Sequence, residues 1–185
     1  RRTTFGFDAA GNEISVKDPL NNVSTTVYNN NLLTVSTIDP LGNRTSFAYD
    51  ANSIQIRVKN PLGAISTSVY DELNRLVAEV DPLGNRSTTV FDKASLPIAE
   101  LDPLGNRNTS IYNAAGNDVS QVNPLGNRTS TVYDAASQVI AAINPLGDRK
   151  TAIYNGVGQL VATINPLGFR STEVYDAAGQ TVAAV

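Results

Sequence analysis

The side chains of this chain that could do chemistry recur at fixed spacing instead of converging. Asp or Asn followed by Pro-Leu stands at Asp18, Asp39, Asn60, Asp81, Asp102, Asn123, Asn144 and Asn165, always 21 residues apart. Such a row of carboxylates and carboxamides could form a calcium ladder. It could equally be a row of turn initiators, which explains why Asp and Asn interchange. Aromatic residues hold a second phase of the same spacing: Phe7, Tyr28, Tyr49, Tyr70, Phe91, Tyr112, Tyr133, Tyr154 and Tyr175. They could stack against glycans or form a structural aromatic ladder between neighbouring hairpins. Phe7 and Phe91 in that phase imply that the phenolic hydroxyl is dispensable.

A third phase is basic: Arg2, Arg44, Arg86, Arg107, Arg128, Arg149 and Arg170, with Val23 and Ile65 in two repeats. It could bind polyanions, pair with turn carboxylates, or pack its aliphatic stems; the Val and Ile replacements favour a partly buried stem. Ser/Thr-rich stretches such as Ser87-Thr88-Thr89 offer hydroxyls, but the chain has no His and no Cys. The commonest general base and the thiolate nucleophile are therefore missing, and the expectation is a protein that is not an enzyme. No disulfide or thiolate metal site can form, and no cofactor is expected. Asn155-Gly156 reads as a hairpin turn and a deamidation point.

Bulk charge narrows the partners. Net charge is -3, from 14 basic and 17 acidic residues, which gives no footprint for nucleic acid. The longest apolar run, Val139–Ile143, is far below the roughly 20 residues of a membrane helix, so no membrane insertion of this segment is expected.

The elements that carry these rows follow from one repeat, Asp81–Leu101, DPLGNRSTTVFDKASLPIAEL. Asp-Pro-Leu-Gly has the type I turn pattern, with the Asp side chain free to accept from backbone N–H groups two residues on. Its Gly fits a left-handed position, and the repeat that lacks it carries Asn21, the best substitute. A β-branched and aromatic stretch to Phe91 then reads as a strand of about six residues. A second turn, Asp92-Lys93-Ala94-Ser95, is written elsewhere as Asn113-Ala114-Ala115-Gly116 or Asp176-Ala177-Ala178-Gly179. A second strand closes the repeat.

The chain thus reads as all-β, built of tandem 21-residue hairpins that wind into a spiral or tubular β-solenoid. Residues 1–17 are the tail of a partial repeat. Eight complete repeats follow: 18–38, 39–59, 60–80, 81–101, 102–122, 123–143, 144–164 and 165–185. The structural turn residues are Asp39, Pro40, Gly42, Asp81, Pro82, Gly84, Asp102, Pro103 and Gly105. The phases of Val77, Ile140 and Val161, and of Val80, Val122 and Ile164, are expected to be largely buried. Arg1 is not a natural start and neither end reads as a cap, so a segment of a longer array is expected.

Tyr49-Asp50, Tyr133-Asp134 and Tyr175-Asp176-Ala177-Ala178-Gly179-Gln180, together with the DPLGNR turns, resemble the YD repeats of the Rhs family, over the whole chain. The same repeats occur in teneurins and in toxin-complex cocoon proteins. The resemblance implies a secreted or cell-surface bacterial protein whose hairpins wind into a shell. Two roles follow from it: an extracellular tube, fibre or adhesive stalk, or a shell segment that encapsulates a C-terminal toxin. The uniformity of the repeats favours the first. Expected partners are neighbouring repeats of the same chain, with surface glycans or other cells as further candidates. The family's self-cleavage core has the form P-x-x-x-x-D-P-x-G-L. Pro97 through Asp102, Pro103 and Gly105 meet it, but Asn106 stands where Leu belongs.

Overall fold

A computed structural model describes residues 2–184. Arg1 and Val185, the outer bounds expected for the partial tail and the last repeat, lie outside the described residues. Strands alternate with turns throughout, and no helix occurs among the described residues. Eight six-residue strands, Val23–Tyr28, Arg44–Tyr49, Ile65–Tyr70, Arg86–Phe91, Arg107–Tyr112, Arg128–Tyr133, Arg149–Tyr154 and Arg170–Tyr175, follow Thr4–Phe7. Between them lie eight five-residue strands, Glu13–Lys17, Thr34–Ile38, Gln55–Lys59, Leu76–Val80, Pro97–Leu101, Asp118–Val122, Val139–Ile143 and Leu160–Ile164, and Thr181–Ala184 closes the order. The all-β hairpin-repeat architecture expected from the sequence is the one observed.

The chain divides into two compact units, Arg1–Thr88 and Thr89–Val185. Within each, every strand pairs antiparallel with the next. In the second unit, Thr109, Ser110 and Ile111 face Val122, Gln121 and Ser120, and Tyr112 then faces Asp118. The register skips Val119, which makes it the extra residue of a β-bulge. The step recurs at Val132/Tyr133 and Ile153/Tyr154, and in the first unit at Val27/Tyr28, Ala48/Tyr49 and Val69/Tyr70.

Burial corrects one expectation. Val77, Ile140, Val161, Val80, Val122 and Ile164 are half-buried, not buried. The buried residues among those described are Ser36, Ala78, Ala99, Ser120, Ala141 and Ala162. The pairing explains it. Ala141 lies between Val132 of its own hairpin and Thr151 of the next, so larger β-branched side chains cover it from both sides. Ile140 is the bulge residue and has no direct cross-strand partner. Arg57 is the exception at the Ala/Ser position, and it faces Ala48 where Val27, Val69, Ile111, Val132 and Ile153 stand in other hairpins. Volume is exchanged across the pair. The accessible surface is 12470 Å², against roughly 8,600 Å² for a compact monomer of this mass. Most side chains on both sheet faces are therefore half-exposed.

Candidate functional site

Two edges and one stripe carry the polar groups of each unit. On one edge, Asp39 shows how the DPLG turn is built. Its backbone N–H donates to Asn43 O at 3.0 Å, and Gly42 N–H donates to Asp39 O at 2.9 Å. Its Oδ1 accepts from Leu41 N at 2.9 Å and from Asn43 N at 2.8 Å. Its Oδ2 accepts from Asn43 Nδ2 at 2.7 Å. The same set recurs at Asp81 and Asp102. Pro40, Pro82 and Pro103 occupy the second turn position, where no N–H is needed. Gly42, Gly84 and Gly105 take φ of 84–87°, and Asn21 takes 68° in the repeat that lacks the Gly.

These hydrogen bonds stabilise the ionised carboxylates. The side-chain bond from Asn43 is the main reason that Asp39 titrates below its ordinary value, and Asn85 and Asn106 do the same for Asp81 and Asp102. The carboxylates are thereby engaged with their own turns. Among the described residues no three Asp or Glu side chains converge on one point. Asp102, the residue that aligns with the self-cleavage core, is held as Asp39 and Asp81 are. Asn106, where the motif departs, is the group that donates to its carboxylate.

The opposite edge is built the same way. Asp50 Oδ1 accepts from Asn52 N and Ile54 N, both at 2.9 Å. Ser53 takes the left-handed place at φ 67°, and Leu32 takes it at 61° in another repeat. For Asn155, the sequence suggested a two-residue turn at Gly156. The structure places the positive φ at Gly158 instead, because this turn too has the longer DPLG form.

Between the edges runs the aromatic stripe. Tyr28, Tyr49, Tyr70, Phe91, Tyr112, Tyr133, Tyr154 and Tyr175 are half-buried, while Phe7 is exposed. Their hydroxyls have a target that the sequence did not announce. Tyr133 Oη–H donates to Asp118 O at 3.0 Å, on the preceding hairpin. Tyr28, Tyr49, Tyr112, Tyr154 and Tyr175 donate likewise to Glu13, Thr34, Pro97, Val139 and Leu160, at 2.7–3.2 Å. Where Tyr is present the hydroxyl ties one repeat to the next, and Phe91 holds the same half-buried place without it. At Tyr175 the single hydroxyl proton is shared between Leu160 O and Glu173 Oε2, the latter at 2.7 Å, and that carboxylate raises the phenol's pKa. Further ties join successive turns, from Asn117 Nδ2 to Ser137 Oγ and from Gln138 Nε2 to Gly158 O. A backbone acceptor has no residue-type signature, so the sequence carried no direct signal for such ties.

The arginine phase is exposed from Arg2 to Arg170, which corrects the partly buried stem. Val23 and Ile65 are exposed there too, at 42% and 39%, so the position tolerates them without burying them. The guanidinium of Arg128 donates to Ser120 Oγ at 2.7 Å, and Ser120 Oγ–H donates on to Thr129 O at 2.9 Å. The equivalent Ser36 Oγ is buried and has no partner.

A groove of about 420 Å³ in the second unit is lined by Glu100, Asn108, Tyr112, Asp118, Gln121 and Thr129, among others. Asp118 is occupied by Ser120 N and Gln121 Nε2, and the lining includes no His, Cys or Lys to serve as base or nucleophile.

The solved structures give the comparison its content. The chain shares its fold with part of one much longer solved chain. Over 98% of its length it matches 12% of a chain in the crystal structure of TcdB2-TccC3-TEV, at 12% identity and a TM-score of 0.53. The crystal structure of TcdB2-TccC3 gives 12% identity over 98% of this chain and 12% of that one, with a TM-score of 0.48. The Photorhabdus luminescens Tc holotoxin pore gives 13% over 99% and 12%, with a TM-score of 0.45. Only the first of the three exceeds one half, and at 12% identity it speaks for the fold alone. This chain spans about an eighth of the solved chains it matches. No family model matches the chain, and no curated protein does.

Proposed function

We propose that this chain is a non-catalytic structural segment of a large exported bacterial YD-repeat protein, forming part of an extracellular tube, fibre or adhesive stalk. The observation that carries the reading is the Tyr hydroxyl bond to the preceding hairpin, repeated along both units. It makes six of the eight complete repeats both a strand pair and a fastener for the repeat before, which suits an array under tension. The partners on this reading are neighbouring repeats of the same chain, with surface glycans or other cells as candidate contacts. No helix among the described residues is long and apolar enough to cross a membrane.

A second reading is a shell segment of an Rhs or toxin-complex protein that encloses a C-terminal toxin. The likeness to TcdB2-TccC3-TEV favours it. Electron microscopy of the full-length secreted product separates the two. An open, extended particle supports the fibre, a closed shell of fixed size supports the toxin vessel, and a product retained in the cytosol overturns both.

A further inference from the structure

The groove of the second unit is lined by residues that depart from the repeat. Glu100 faces Asn108, Ser110 faces Gln121, and Gln121 faces Thr129, so all five stand on one face of the sheet. Arg107 and Arg128 precede Asn108 and Thr129 in their strands and so stand on the other face, where Arg128 meets Ser120. That other face changes little along the chain: the place of Thr109 is Ser or Thr in all eight complete repeats. The groove face varies, and in repeat 102–122 it varies against strand preference. Asn108 stands where the neighbouring repeats have Ser87 and Thr129, and Asp118 where others have Leu76, Val139 and Leu160. Asn and Asp are depleted in strands. Two such choices, which the fold does not ask for, line the same cavity, and departures of this kind mark functional sites.

We infer that this groove binds an uncharged oligosaccharide. Its polar groups are available: among the described residues, no protein group bonds to the side chains of Glu100, Asn108, Ser110 and Thr129. Asp39, Asp81 and Asp102, by contrast, are engaged with their own turns. A carboxylate, a carboxamide and two hydroxyls together offer donors and acceptors, and a sugar hydroxyl answers either. An ammonium ligand only donates, and would leave the Asn108 Nδ2 protons without an acceptor. The charged residues of the lining are Glu100 and Asp118, so an anionic ligand is repelled. At one end lies Tyr112, whose hydroxyl is tied to Pro97 O at 3.1 Å; the bond holds the ring in place for the apolar C–H face of a pyranose. The volume, about 420 Å³, falls within the roughly 300–1,000 Å³ of small-ligand sites. The inference rests on the surface-glycan contact in the proposed function and names where that contact is made.

A printed panel of neutral, aminated and sulfated oligosaccharides, probed with the 185-residue chain, tests it. Neutral members should retain the chain, and calorimetric titration with the best of them gives the parent affinity. Asn108→Ser and Glu100→Thr install residue types that other repeats carry at the same places, as at Ser87 and Thr37, so the fold is kept. Each should weaken binding by about tenfold with an unchanged far-UV spectrum. Asn108→Ser should melt no lower than the parent, since Ser suits a strand at least as well as Asn. Lys150→Ser, on the same face but outside the groove, should bind as the parent does. Retention by aminated or sulfated members alone overturns the proposal, as does a chain that no member retains. So does an Asn108→Ser/Glu100→Thr variant that binds like the parent. An open fibre in the microscope with no glycan retained removes this inference and leaves the structural reading standing.

Discussion

Tyr133 donates a hydrogen bond from its hydroxyl to the main-chain oxygen of Asp118 on the preceding hairpin, 3.0 Å away and fifteen residues back. The bond crosses from one repeat to its predecessor, so its loss should be felt locally. Tyr133→Phe should cost about 0.5–1.5 kcal/mol. Hydrogen exchange should show it as faster exchange in Asp118–Val122 and Arg128–Tyr133, with distant hairpins unaffected. Uniform slowing or no change would remove the hydroxyl from the account of how repeats are fastened.

Ser36 and Ser120 occupy the same place in their repeats and should respond to alanine with opposite signs. Ser36 Oγ is buried without a partner, and such an orphan costs about 1–3 kcal/mol, so Ser36→Ala should stabilise. Ser120 Oγ accepts from Arg128 and donates to Thr129 O, so Ser120→Ala should destabilise by about 1 kcal/mol or more. Denaturant midpoints of the two variants decide it.

Leu32 holds a left-handed backbone, φ 61°, with 60% of its surface exposed. A non-Gly residue there costs roughly 1–2 kcal/mol, and Asn relieves part of this without glycine's added chain entropy. Leu32→Asn should raise thermal stability. Gly84→Ala, at φ 87°, should lower it.

Acid should loosen the Asp turns and spare the Asn turns. The folded pKa of Asp39 lies below its ordinary 3.8, chiefly through the Asn43 side chain. The stabilisation is therefore complete above 3.8 and disappears as pH falls through the lower, folded value. Asp81 and Asp102 behave alike. Melting curves of the parent chain should fall on acidification below about pH 4. An Asp39→Asn/Asp81→Asn/Asp102→Asn variant should show a shallower fall, and equal slopes would contradict the turn assignment.

The turns were readable because their signals are local. Asp at the start, Pro next and Gly or Asn21 at the left-handed place each act within five residues. The strands were readable from β-branched runs between turns. What the sequence did not disclose depends on pairing across hairpins. Ala141 is buried because Val132 and Thr151 flank it, and Ile140 is not, because the register steps past it. The buried phase is thus made of the smallest side chains, the reverse of what hydrophobicity alone suggests. The Arg128–Ser120 contact was hidden for the same reason, since the chain between the two must first fold into a turn and two paired strands.

The likeness of the two turns has a consequence for how such a chain can grow. Asp39 and Asp50 close the same loop with the same bonds, so only the register step beside the aromatic residue tells the backbone of one edge from the other. A duplication of 21 residues preserves the parity of the array: aromatics, alanines and leucines all return to their places. A duplication of a single strand and turn inverts it. Everything downstream would then present its leucines on the wrong border and its tyrosines to the wrong neighbour. Length can change only by whole steps, and the unbroken 21-residue spacing from Asp18 to Asn165 is the arithmetic that this imposes.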